Sequence, residues 1–208
     1  VKDGTNRVST WRDLSGQGVN LGVSGSAPLY VPSLIGSRPG LDFGGGAGLF
    51  GANLPLSSEV TVFAVIQHRT PGQWGPIAHH GSRDGDWSLE HAGFDPSTTL
   101  HFQSSNDNTG AELVLESGAN YILTGRIEGT TRYFSATSAD GATVSTSATG
   151  VSIVPGNKSF YVGRSEAAEP SNAYVGELLY FDRPLVDPER DMVIEYLEHS
   201  WRLGRGSL

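Results

Sequence analysis

The sequence predicts an all-β protein, an antiparallel two-sheet sandwich with one C-terminal α-helix. Three observations predict it. Period-2 hydrophobic patterns recur roughly every ten residues, turn formers separate them, and no helical periodicity intervenes before residue 187. That spacing favours an antiparallel sandwich over a fold of alternating strands and helices. Glycine is abundant, at 28 of 208 residues beside 11 prolines, which suits short strands joined by tight turns.

The elements follow in order. Strand patterns begin at 41–43 and 60–68, and "RTPGQWG" separates the second from 75–80. "GSRDGD" leads to 86–91, "AGFDPST" to 99–103, "SSNDNTG" to 112–115 and "ESGAN" to 121–128. A strand at 131–137 is followed by "SADGA" and a strand at 143–147. The last two run over 159–164 and 173–182, split by "AAEPSN". The helix then has its own signals. Asp187 is a candidate N-cap, Pro188 fits the first turn, and Glu189 complements the positive end of the helix dipole. Val193, Leu197 and Trp201 recur at i, i+4 and i+8, Ile194 and Tyr196 widen the stripe, and Gly204 is a candidate stop. Such a helix covers an edge or end of the core. No internal repeat or linker divides the chain, so residues 1–204 read as one domain and 205–208 as a tail or expression scar.

Composition excludes several function classes. Hydrophobic residues make up 37% and charged residues 17%, enough to bury a core. A balance of 14 basic against 22 acidic side chains, −8 overall, argues against nucleic acid or an anionic membrane as partner, since both demand a basic face. There is no cysteine, hence no disulfide, thiol nucleophile or thiolate-bound zinc. No run approaches 18 apolar residues, so no membrane insertion is expected. The chain starts at Val1 without an initiator methionine and is expected to be a mature or excised piece of something longer.

Five stretches, in order, carry a family resemblance: "WRDLSGQGVNL" (11–21), "RPGLDFGG" (38–45), "FYVGR" (160–164), "VGELLYFDRPL" (175–185) and "PERDMVIEYLEHSW" (188–201). Together they resemble the laminin-G-like, concanavalin-A-like jelly-roll domains of bacterial extracellular proteins. The resemblance spans nearly the whole chain. It implies a jelly-roll sandwich, a secreted or cell-surface location, and glycan or cell-surface polysaccharide as partner. It also implies calcium as a candidate cofactor. Two departures stand out. A first strand upstream of the W-x-D segment is shortened or missing, and Ala173-Tyr174 stands where relatives carry Gly-Asp. A lost N-terminal strand would leave a free edge, through which a homodimer could form. Glu177 matches the glutamate of the penultimate strand motif, where a structural role is expected.

Catalytic strings are missing. Sandwich glucanases resembling this fold carry E-x-D-x-E or E-x-D-x-x-E, which alternation aims into one cleft. Here the nearest is "DGDWSLE", with Asp84, Asp86 and Glu90 at the wrong spacing. There is no G-x-S-x-G elbow and no H-E-x-x-H pair. "GAGLFG" (46–51) matches G-x-G-x-x-G, but "ANLPLSS" follows instead of a helix, so it reads as a glycine-rich turn.

One cluster is suggestive. Four of the six histidines lie between residues 74 and 103, among Trp74, Trp87, Glu90 and Gln103. If Leu89, Leu100 and Phe102 face the core, Ser88, Glu90, His101 and Gln103 face the other way, with Glu90 across from His101 and His80 joining them. Carboxylates, imidazoles and amides bond sugar hydroxyls, and Trp74 or Trp87 could stack on a pyranose. The candidate ligand site is therefore Trp74, His80, Trp87, Glu90, His101 and Gln103. A one-residue slip would exchange the faces of Trp87 and Glu90. For calcium, the oxygen-rich loops offer Asp84, Asp86 and Asp107, whereas Asp13 in "DLSG" suits a local turn.

The function expected is a non-catalytic, lectin-like recognition or adhesion module within a larger secreted or surface protein. One alternative is a polysaccharide hydrolase or lyase pairing Glu90 with His80 or His101. The other is a structural or protein-interaction domain.

Overall fold

A computed structural model describes residues 1–44, 46–69, 75–81, 86–91, 98–104, 110–151 and 153–203. Its strands form two sheets. The eight-stranded sheet runs β1 (Thr10–Trp11), β2 (Leu21–Val23), β5 (Leu49–Leu56), β14 (Gly156–Val162), β7 (Gly75–His80), β8 (Trp87–His91), β9 (Thr99–Ser104), β10 (Ala111–Val114). The seven-stranded sheet runs β13 (Thr143–Thr149), β12 (Thr131–Ser138), β11 (Asn120–Glu128), β6 (Val60–Gln67), β15 (Tyr174–Phe181), β4 (Arg38–Asp42), β3 (Leu29–Ile35). Every strand pair is antiparallel, and one helix, α1 (Asp187–Trp201), closes the chain. The architecture is the two-sheet sandwich that the sequence spacing predicts.

The sequence pattern misses β1, β2, β3 and β5. Pro32 interrupts β3, while Gly51, Pro55 and a left-handed Asn53 (φ 59°) interrupt β5. The glycine-rich "GAGLFG" is therefore not all turn, since Leu49, Phe50 and Gly51 lie inside β5.

Strand β6 explains the helix. Val60, Val62, Ala64 and Ile66 point into the core between the sheets. Phe63 and Val65 point the other way and pack with Ile122, Leu197 and Trp201. The seven-stranded sheet is thus apolar on both faces, and α1 keeps water off the second. Glu177 on β15 ties the helix down, accepting hydrogen bonds from Tyr196 Oη (2.9 Å) and Trp201 Nε1 (2.6 Å). Gly176 beside it is required, because a Cβ there would lie 2.4 Å from the Trp201 ring.

The helix ends differ from the expected ones. Val186 occupies the N-cap position and its amide donates to Glu189 Oε2 (3.1 Å), so Asp187 is the first helical residue. Arg202, left-handed at φ 53°, ends the helix, and Gly204 lies outside the described residues. Tyr196 does not widen the apolar stripe. It is 50% exposed and meets the sheet through its hydroxyl.

Candidate functional site

The outer face of the eight-stranded sheet carries the polar groups. In the core, Leu49, Phe160, Val162, Ala78, Leu89 and Phe102 face the other sheet, so their chain neighbours Phe50, Tyr161, His79, Ser88 and Gln103 face out. Register aligns them. Gly22, Phe50, Tyr161, His79, Ser88 and Gln103 are successive cross-strand partners, one row crossing six strands.

One half of the row is aromatic. The Phe50 and Tyr161 rings lie 5.2 Å apart, and the Tyr161 and His79 rings stack at 4.7 Å, within 2° of parallel. Phe50 and Tyr161 are partly exposed. Beside Phe50, a Cβ added to Gly22 would meet nothing within 4 Å, so that flank is open. His79 Nε2 lies 3.4 Å from Glu166 Oε2, whose side chain is partly exposed.

The other half is hydrogen-bonded and covered, with Ser88 and Glu90 0% exposed and Gln103 8%. Ser88 Oγ donates to Glu90 Oε2 (2.8 Å) and Gln103 Nε2 donates to Glu90 Oε1 (2.5 Å), so both oxygens of this buried carboxylate are engaged. Along the next row Glu90 faces His101, and His101 faces Glu112 on β10. His101 Nε2 lies 3.4 Å from Glu112 Oε1. Burial holds the His101 imidazole below its ordinary pKa, against the opposing pull of Glu112.

Two expected ligand residues point inward. Trp87 shares the parity of Leu89, is 0% exposed, and packs among Phe102, Phe160 and Tyr180, leaving no ring face for a sugar. His80 pairs with Trp87 across β7 and β8 and lies in the same aromatic cluster, its Nε2 3.3 Å from the Leu54 carbonyl. A register shift between Pro76 and Ala78 sets its direction. Burial depresses its pKa to about 4. His80 therefore cannot serve Glu90 as acid–base partner across the sheet. Two further interior imidazoles, His68 and His91, stack at 5.4 Å, with pKa values pushed by burial to about 4 and about 3.

Trp74, Asp84 and Asp107 lie outside the described residues. Asp86 is buried with Oδ2 3.8 Å from Lys158 Nζ. Among the described residues, no three His, Asp or Glu side chains are grouped to hold a metal. Asp13 closes its own loop, accepting from the Ser15 (2.8 Å) and Val19 (3.0 Å) amides. Hydrogen bonds from Ser15 first, then Val19, hold its carboxyl below the usual range. A depression of about 490 Å³ lies by Asp3, Arg7, Ser26, Ala27 and Gly44. Its charged groups serve local turns, Asp3 accepting from the Thr5 and Arg7 amides and Arg7 donating to the Ala27 carbonyl.

The sequence reading passed over Phe50, Tyr161 and Glu166. For Tyr161 the signal was present: in "SFYVGR" an inward Phe160 forces its neighbour outward. The Phe50 contact depends on a pairing between β5 and β14 that no local pattern encodes.

No protein-family model matches the sequence, and a search of curated proteins finds no similar one. Solved structures do share the architecture. Trypanosoma rangeli sialidase in complex with sialic acid superposes at TM-score 0.65 over 95% of this chain and 32% of its own length, with 17% identity. The enzymatically active domain of tailspike protein 2 from bacteriophage CBA120 gives 0.64 over 89% of this chain and 31% of that one, with 18% identity. The likeness is one of fold. This chain spans about a third of each of those proteins.

Proposed function

We propose that this chain is a non-catalytic glycan-recognition module of the laminin-G-like, concanavalin-A-like type, working within a larger secreted or surface protein. Its glycan lies over the exposed end of the outer row of the eight-stranded sheet, at Phe50 and Tyr161. The observation that carries the reading is the register of that row. A partly exposed aromatic pair, Phe50 and Tyr161, sits at one end of it, and the buried Ser88–Gln103–Glu90 network continues the row and holds β8 and β9 in place behind the pair. A pyranose offers C–H bonds on one face, matching the aromatic plane, and hydroxyls at its rim, for which the exposed Glu166 carboxylate beside His79 is an acceptor.

That sialidase and tailspike enzymes share the fold brings carbohydrate chemistry into view, but only a third of each aligns here. Glu90 has both oxygens bonded within the sheet, and His101 faces Glu112, so both members of the Glu90–His101 pair are already engaged.

A glycan array, run with calcium and again with chelator, tests the proposal. Binding to one glycan class should weaken at least tenfold in Tyr161→Ala and Phe50→Ala variants whose melting temperatures are unchanged. Release of reducing ends that disappears in Glu90→Gln would replace recognition with hydrolysis. Silence in both assays would leave a structural or protein-interaction domain.

A further inference from the structure

Sheet edges expose unpaired N–H and C=O groups, and natural proteins blunt them with short strands, proline, bulges or charge. Three of the four edges here are blunted. β1 has two residues and β10 has four. β3 carries Pro32, and its pairing with β4 breaks between Val31 and Ile35. β13 is different. It pairs with β12 at every position from Thr143 to Thr149, and its sequence, TVSTSAT, contains no proline, glycine or charge. Five of its residues are exposed and two partly so.

We propose that β13 is a homodimerisation edge, on which a second copy of the chain pairs antiparallel so that one sheet runs through both molecules. The strand is self-complementary about Thr146. A two-fold axis there sets Val144 of one copy against Ala148 of the other, and Ser145 against Ser147. Val144 and Ala148 stand opposite Ala136 and Arg132, both buried, so they lie on the core side of the sheet. Val144 is nonetheless 48% exposed, and the second copy covers it along the line of the core. On the opposite side, hydroxyls meet hydroxyls. The strand itself carries no charged residue, so no like-charge pair is set face to face along it. Seven residues make a small contact, well below the roughly 800 Å² per partner of a standard interface, so association depends on concentration. This replaces the N-terminal edge expected from the sequence, where β1 offers two residues.

Charge placed on the exposed Ser145 and Ser147 tests this. Sedimentation equilibrium of the wild-type chain should show mass rising toward twice the monomer with concentration. The Ser145→Lys/Ser147→Lys and Ser145→Asp/Ser147→Asp variants, each meeting its own charge across the axis, should weaken association at least tenfold. Mixed in equal amounts they should associate again, which also shows that both are folded. A wild-type chain that stays monomeric up to millimolar concentration overturns the proposal. So does a variant that dimerises as the wild type does, or a mixture that fails to recover. The outcome is independent of glycan binding.

Discussion

Acid should destabilise this protein well before its carboxylates protonate, because it buries neutral imidazoles. His68, His80 and His91 are 0% exposed, with pKa values near 4, 4 and 3 against 6.5 for a solvated histidine. Burial is the main cause for each, and His68 adds repulsion at His91. Between pH 6.5 and about 4, each accepts a proton in the unfolded chain and not in the fold. Their contribution is therefore complete above pH 6.5 and falls as the pH drops through that window. From pH 7 to pH 5 the loss is about 2 kcal/mol per imidazole, or about 5–6 kcal/mol for the three. A domain of this kind has only about 5–15 kcal/mol to lose. With a urea m-value of about 2 kcal/mol per M, the midpoint should fall by about 2–3 M between pH 7 and pH 5. Urea titrations followed by tryptophan fluorescence would measure it. His91→Leu should reduce the dependence of stability on pH near pH 5 by about one proton, from roughly 4 to roughly 2.7 kcal/mol per pH unit. A midpoint that stays flat from pH 7 to pH 5 would refute the burial of these rings as the controlling feature.

Other consequences are simpler to test. Trp201→Ala removes the indole that packs on Phe63 and Val65 and the donor to Glu177, and should cost about 3–5 kcal/mol in urea unfolding. Glu177→Ala leaves the Trp201 N–H unbonded and should cost about 1–3 kcal/mol, with Glu177→Gln recovering part of it. Gly163→Ala should lower the melting temperature sharply, since its φ is +81° and a Cβ would lie 1.9 Å from Phe43 Cδ1. Arg183→Ala, which removes an exposed pair with Glu189, should change stability by less than about 1 kcal/mol.

The sequence exposed most of the scaffold and little of the site. β6, β8, β9, β11 and β12 were readable because alternation or apolar runs met clear turn signals. The helix was readable because Pro188 and the Leu197–Trp201 stripe act locally. β5 was hidden by its glycine and proline residues, which the sheet tolerates through a left-handed Asn53 and a shifted register with β14. The inward aim of His80 depends on a single register shift in β7, invisible to a count of two. Glu90 and Gln103 share a face because parity runs unbroken through β8 and β9. Phe50 and Tyr161 meet through pairing of distant segments, which composition cannot report.

Burial on both faces sets how freely each strand can vary. In a saturation mutational scan, β6 should reject polar substitutions at nearly every step, since its residues alternate between two filled layers. β14 should reject them at Phe160 and Val162 and accept them at Tyr161. β6 to β9, buried at nearly every step, are then a fixed chassis shared by both sheets, whereas the stretch around Phe50 and Tyr161 can drift without repacking the molecule.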